Sequence, residues 1–113
     1  MVDYSVVFHI DEDDDSRVLL LISNVRNLMV DLESVRIEVV AYSMGVNVLR
    51  RNSEYSGDIA ELMDQGVRFC ACSNTLRASG MDGDDLLEGV DVVSSGVGHI
   101  VRRQTEGWAY IRP

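Results

Sequence analysis

Apolar positions along this chain switch repeatedly between two periods. Tyr4-Ser5-Val6-Val7-Phe8-His9-Ile10 is a β-branched and aromatic run, apolar on nearly both faces, as in a buried strand of a parallel sheet. It stops at the acidic run Asp11 to Asp15. Beyond it Val18, Leu21, Ile22, Val25, Leu28 and Met29 recur at steps of three and four, the stripe of a helix that Ser16 can cap and whose positive end suits the carboxylates. The alternation then repeats. Val35 to Tyr42 reads as a strand that begins half exposed and ends buried, stopping at Ser43-Met44-Gly45, and Tyr55 to Gln65 as a helix with Ile59, Leu62 and Met63 inward and Gly66 as its stop. Val67 to Ala71 is a third strand, Ser73 to Ser79 a short helix closed by Gly80, and Asp82 to Leu87 another helical piece. Val90 to Val93 is a fourth strand. Ser94-Ser95-Gly96 opens a helix carrying Val97, Ile100, Val101 and Gln104, and Trp108 to Ile111 is the last strand.

Strands and helices in the order (βα)₄β imply right-handed crossovers, a parallel sheet and helices on both faces. The fold expected is α/β, a three-layer sandwich around a five-stranded, mainly parallel sheet of flavodoxin-like size, with residues 1–113 as one domain. In such sheets ligands sit beyond the carboxyl ends of the strands. Here that edge collects the loops after Ile10, Tyr42, Ala71 and Val93.

Composition narrows the function. The 113 residues hold 46% hydrophobic and 26% charged side chains and a single proline, values of a chain folded throughout. A formal charge of -9 repels phosphate backbones and anionic membrane surfaces, so neither nucleic acid nor membrane is an expected partner. All ten basic residues are arginines, which removes Schiff-base lysines and the lysine of a P-loop. Met1-Val2-Asp3-Tyr4 has no basic region before an apolar stretch, and the longest apolar run, Val18 to Ile22, falls far short of the roughly 20 residues of a membrane span. A cytoplasmic protein is expected, and two cysteines one residue apart do not make a secreted disulfide framework.

Chemistry concentrates where the third strand turns into a helix. Cys72 falls on the functional edge, where unpaired N–H groups and the positive end of the macrodipole favour a thiolate. Ser73 or Asn74 can cap that helix, and Arg77, one turn on, can add positive potential. A small buried hydrophobe is the alternative for Cys72. Cys70, on the same face, reads as core packing, as a resolving thiol, or as half of a metal site, though C-x-C offers two ligands where a closed zinc site needs four and neither His9 nor His99 stands beside other ligands. No metal and no cofactor are expected. His9, near the end of the first strand, can carry a proton or serve structure; His99 reads as a surface or interface residue. The run Asp11 to Asp15 lacks the glycine turn and distal glutamate of an EF-hand loop and reads as a solvated helix start. Gly96-Val97-Gly98 has half a dinucleotide fingerprint, with Val101 in the third glycine's place, yet Ser95 and Gly96 at that helix start could hold an anion. Trp108 and Tyr110 share one strand face, as core or as an interface anchor.

Several of these segments together resemble the DsrE/DsrF-like family of small sulfur-relay proteins over nearly the whole chain. They are Phe69-x-Ala71-Cys72-x-Asn74-Thr75-Leu76, Asp85-Leu86-Leu87 with Gly89-Val90, Ser95-Gly96-Val97, and Gln104-x-Glu106-Gly107-Trp108-Ala109-Tyr110-Ile111-x-Pro113. The resemblance implies a flavodoxin-like fold, homo- or hetero-oligomers often built on threes, and donor and acceptor proteins between which a cysteine carries persulfide sulfur. By motif position that cysteine is Cys72; Cys70 has no counterpart in the pattern. The other reading is a non-catalytic oligomer that binds a small anionic ligand or acts as a scaffold, with Cys72 inert.

Overall fold

Five parallel strands form one sheet in the order β4-β3-β2-β1-β5 in the computed structural model, which describes residues 4–113. The reading of the N-terminus rests on Met1 to Asp3 and so lies outside the described residues. The elements are β1 (Tyr4–Ile10), α1 (Asp15–Asp31), β2 (Val35–Ala41), α2 (Ser56–Asp64), β3 (Arg68–Cys72), α3 (Ser73–Ala78), β4 (Asp91–Val93), α4 (Gly96–Thr105) and β5 (Ala109–Ile111). The chain steps from β1 to β4 in one direction, and right-handed crossovers therefore put α1, α2 and α3 on the same face. From β4 it returns across the whole sheet to β5, beside β1, and this reversal puts α4 alone on the other face. The result is the α/β three-layer sandwich expected from the sequence. Among the described residues no helix is long and apolar enough to cross a membrane.

Strand parity divides the core between those faces. Phe8, Ile10, Val39, Ala41, Phe69 and Ala71 meet Val18, Leu21, Ile22 and Val25 of α1, Ile59 and Leu62 of α2, and Leu76 of α3. On the opposite face Val7, Val40, Cys70 and Val93 meet Ile100 of α4 and Trp108, with Tyr42 packed against them. With each buried aliphatic or aromatic side chain contributing about 1.5–3 kcal/mol, the first face supplies most of the hydrophobic stabilisation. The smaller α4 face relies on charge as well.

Glu38 is the centre of that charge. The sequence reads it as part of a half-exposed strand start, but it is buried on the α4 face, where Oε1 accepts from His99 Nε2 (2.6 Å) and Arg103 Nε (3.0 Å), and Oε2 from Arg103 (2.8 Å) and Arg68 (3.2 Å). His99, expected at a surface, is buried because it is one of these partners. Arg103 also lies 4.6 Å from the centre of the Trp108 ring, with Arg36 at 4.9 Å, so the tryptophan is covered by two guanidiniums and belongs to the core.

Local chemistry explains the other departures. Asp14, not Ser16, caps α1: its carboxylate accepts from the Arg17 N–H, and Ser16 donates to that same carboxylate. Ser43–Leu49 forms a 3₁₀ helix that has no helical stripe in the sequence, since Val46, Val48 and Leu49 are all buried against the sheet. Asp82 to Leu87 contracts to a 3₁₀ turn at Gly83–Asp85, closed by reciprocal Asp82 and Asp85 hydrogen bonds. The third strand extends by one residue, and Cys72 is at once its last residue and the cap of α3.

Acid stability should report on Glu38. Burial raises its pKa, but hydrogen bonds from Arg103, His99 and Arg68 outweigh this and bring it down to about 2 from an ordinary 4.5. A depressed carboxylate stabilises the fold above its unfolded pKa and loses that contribution as pH falls through the folded value. Wild-type stability to urea should therefore drop by up to about 3 kcal/mol between pH ~4.5 and ~2. Glu38→Gln should be less stable at neutral pH and lose less over the same window.

Candidate functional site

Cys72 occupies the point where the sheet's connections diverge. β3 leads to α3 on one face and β4 to α4 on the other, which opens a crevice between their carboxyl ends, the place where open α/β sheets bind ligands. Gly96, the first residue of α4, closes over it: a Cβ there would lie 3.0 Å from the Tyr42 ring, 3.3 Å from Cys72 Cβ and 3.3 Å from Val40. Glycine lets the α4 backbone come this close to Cys72 without displacing its neighbours.

Two helix starts thus meet at one thiol. Burial pushes the Cys72 thiol up, but the Gly96 N–H from α4, the Thr75 and Asn74 N–H groups from α3 and the Thr75 hydroxyl outweigh it, so its pKa lies below the ordinary value. Cys72 stands at the cap position of α3 without a side-chain capping hydrogen bond. Cys72 itself is only 6% exposed. Cys70, with no exposure and no such donors, is pushed up to about 11 by burial and packs between Val7, Val40 and Ile100.

The loop after β2 supports this arrangement from the other side. The Ser43 N–H donates to Thr75 Oγ1 (3.0 Å), which leaves the hydroxyl hydrogen for the sulfur. Ser43 adopts a left-handed φ of 53°, and the Gly45 that follows packs so tightly that a Cβ would fall 2.2 Å from the Ile10 carbonyl oxygen. A cleft of about 420 Å³ opens between this loop and α3, lined by Tyr42, Ser43, Met44, Asn47, Asn74 and Thr75, none of them charged.

Other residues singled out in the sequence are placed differently. Neither Ser73 nor Asn74 caps α3 with its side chain, because Cys72 holds that position; both accept from Arg77, at 2.9 Å in the case of Ser73. Arg77 is accordingly engaged by these two side chains. Ser95 caps α4 by accepting the Gly98 N–H (3.0 Å), and Gly96, next to it, packs against Cys72. His9 stacks on Tyr42 with ring centres 4.4 Å apart and shares a 2.8 Å hydrogen bond between Nδ1 and the Tyr110 hydroxyl. Tyr42, Ser43 and Gly45 were not recognised as site residues from sequence, although the position of their segment at a strand's carboxyl end was a usable signal.

Glu38, Cys70 and His99 also cluster, with potential ligand atoms within 4.8 Å of one another. Both Glu38 oxygens already accept from guanidiniums, and His99 Nε2 is spent on the same carboxylate. Two arginines at the carboxylate oppose a cation, so the donor set does not suit a metal.

Fold and site together define a small parallel-sheet protein with a donor-lined thiol at its switch point. The chain belongs to the DsrE/DsrF-like family, whose model matches residues 4–113. A solved protein of unknown function, MTH1491 from Methanobacterium thermoautotrophicum, is similar at 93% identity over 98% of this chain and all of its own, with a TM-score of 0.98. The ychN protein from E. coli (12% identity, all of both chains, TM-score 0.81) and the conserved protein of unknown function BT1422 from Bacteroides thetaiotaomicron (14%, 96% of this chain and 94% of its own, TM-score 0.75) share the fold. Among curated proteins none matches.

Alkylation rates against pH should place the Cys72 thiol below an ordinary thiol, with Cys70 unreactive in the same range. Thr75→Val removes one donor and frees the Ser43 N–H; its midpoint should move upward, whereas an unchanged midpoint would mean that the hydroxyl does not act on the sulfur.

Proposed function

We propose that this protein carries sulfane sulfur as a persulfide on Cys72 and passes it between donor and acceptor thiols. The observation that supports this most is the place of Cys72 at the end of β3, where α3 begins and the Gly96 start of α4 packs close to its Cβ, surroundings that lower its pKa. Each half of a relay cycle needs it: as attacking group Cys72 must be a thiolate, and as leaving group in the transfer onward it must bear the charge again. The same donors serve both steps. Membership of the DsrE/DsrF-like family points the same way. The reading supposes a reducing compartment such as the cytoplasm, where Cys70 and Cys72 stay free.

We further expect a homo-oligomer, with a trimer or multiple of three favoured, and separate sulfur donor and acceptor proteins. Val97 and Val101, one turn apart on the outer face of α4, and Tyr110 are exposed hydrophobics suited to such contacts. Light scattering should return a mass above that of one chain.

The 6% exposure of Cys72 favours a second reading, an inert cysteine in a ligand-binding or scaffolding protein. Intact mass after treatment with inorganic polysulfide separates the two. A relay protein gains one sulfur atom in the wild type and in Cys70→Ser, and none in Cys72→Ser. No Cys72-dependent gain would leave the inert reading standing.

A further inference from the structure

Cys72 is 6% exposed, yet a cleft of about 420 Å³ opens beside it, which Cys72 does not line. Its neighbours show what separates the two. Gly96 has no side chain. The Thr75 hydroxyl accepts from the Ser43 N–H, and Asn74 is held by Arg77 through its Oδ1. Val93, the β4 partner of Cys72, is buried in the core of the α4 face. Tyr42 is left. A Cβ on Gly96 would fall 3.0 Å from the edge of the Tyr42 ring and 3.3 Å from Cys72 Cβ, so ring and thiol side chain border the same point in space. Tyr42 also lines the cleft.

This ring is free to turn in a way its neighbours are not. It is half-buried, and among the described residues its hydroxyl makes no hydrogen bond. What holds it is a stack on His9, with ring centres 4.4 Å apart and 22° between the planes, a contact with no directional bond to break. The backbone beside it is fixed: the Tyr42 N–H donates to the Ile10 carbonyl (3.2 Å), and Gly45 packs against that same carbonyl. Motion is thus confined to the side chain, as a change of rotamer.

The seat itself is incomplete. His9 is buried, with Nδ1 bonded to the Tyr110 hydroxyl (2.8 Å), but Nε2 has no hydrogen-bond partner and the Asp11 carboxylate stands 3.6 Å away. A buried polar atom left unsatisfied raises the free energy of the closed arrangement. Water that follows the ring out reaches the imidazole, so opening recovers a hydrogen bond that the closed state lacks.

We propose that Tyr42 is a lid over Cys72: stacked on His9 it closes the thiol off from the cleft, and swung away it admits sulfur donors and acceptors according to size. The purpose of the lid rests on the persulfide reading, for which it names the residue that decides which thiols reach the sulfur. A small donor such as inorganic polysulfide passes during a brief opening, whereas a bulky acceptor has to hold the ring aside. Between transfers the closed ring keeps other thiols from the bound sulfur.

Alkylation measures access without any sulfur transfer. At about pH 9.5 the Cys72 thiol is largely ionised, and its rate reports exposure rather than protonation. Iodoacetamide and a fluorescein maleimide serve as small and bulky reagents, with each cysteine read by peptide mass. Tyr42→Ala should raise the Cys72 rate about 10-fold over wild type with iodoacetamide, and by a larger factor with the maleimide. Tyr42→Phe, which keeps the ring, should match the wild type. His9→Ala removes the seat and should fall between them; it carries the test if Tyr42→Ala does not fold. Cys70, buried on the same sheet face, should stay unreactive throughout. An unchanged Cys72 rate in Tyr42→Ala, or a rise that Cys70 shares as in a loosened fold, overturns the lid. Failure of wild type and variants alike to take up sulfur from polysulfide overturns the persulfide reading and leaves the lid standing on its alkylation rates.

Discussion

The contact on which the site depends is the one between the first residue of α4 and the sheet. Gly96 brings the α4 backbone so near Val40, Tyr42 and Cys72 that a Cβ there would have to push its neighbours aside by a few tenths of an ångström. The opposite end of the helix is held by His99 and Arg103 on Glu38 and by Arg103 over Trp108. Fixed at both ends, α4 has little freedom to slide, and its first residue stays against Cys72. The thin core on that face would be a weak clamp by itself. A buried, fully bonded carboxylate adds direction, because its four hydrogen bonds are satisfied in only one placement of the helix.

The two cysteines show how much local backbone geometry decides. They lie two residues apart on the same sheet face and are both buried, yet one is pushed up to about 11 and the other held below its ordinary value. Cys70 lies mid-strand, where neighbouring N–H groups are committed to β-pairing, and has apolar neighbours. Cys72 lies where the ladder ends and two helices begin, so N–H groups without intrahelical partners are available to it. Burial is then an advantage: it removes the water that would otherwise compete for those donors, at the cost of access.

Much of this was legible in the chain. The two hydrophobic periods gave every strand and the alternation that makes the sheet parallel, and the strand-to-helix junction marked Cys72. Partnership across the sheet was not legible. Glu38 and His99 are 61 residues apart, and each alone has the pattern of a solvent-facing side chain. That Cys72 would hold the cap position of α3 was hidden because capping statistics point to Ser73 and Asn74, and the position is filled here without a side-chain hydrogen bond. The Ser43–Leu49 turn was missed for the opposite reason: its apolar residues are fixed by where the sheet lies, not by any period of their own.

The global charge and the local site pull in different directions, and their ranges decide which governs. A net charge of -9 disfavours an added thiolate anywhere on the surface. That field is screened over about 10 Å at ordinary ionic strength, whereas the N–H groups that lower the Cys72 pKa are local and away from solvent. The local groups therefore lower the thiol's pKa in spite of the overall charge. The overall charge acts at longer range, on approach, where it repels acidic partners. The cleft beside the site has no charged lining, so an acceptor that has overcome that repulsion meets no further electrostatic barrier at the cleft wall. Charge thus bears on encounter, and shape and hydrogen bonding on what the cleft itself can hold.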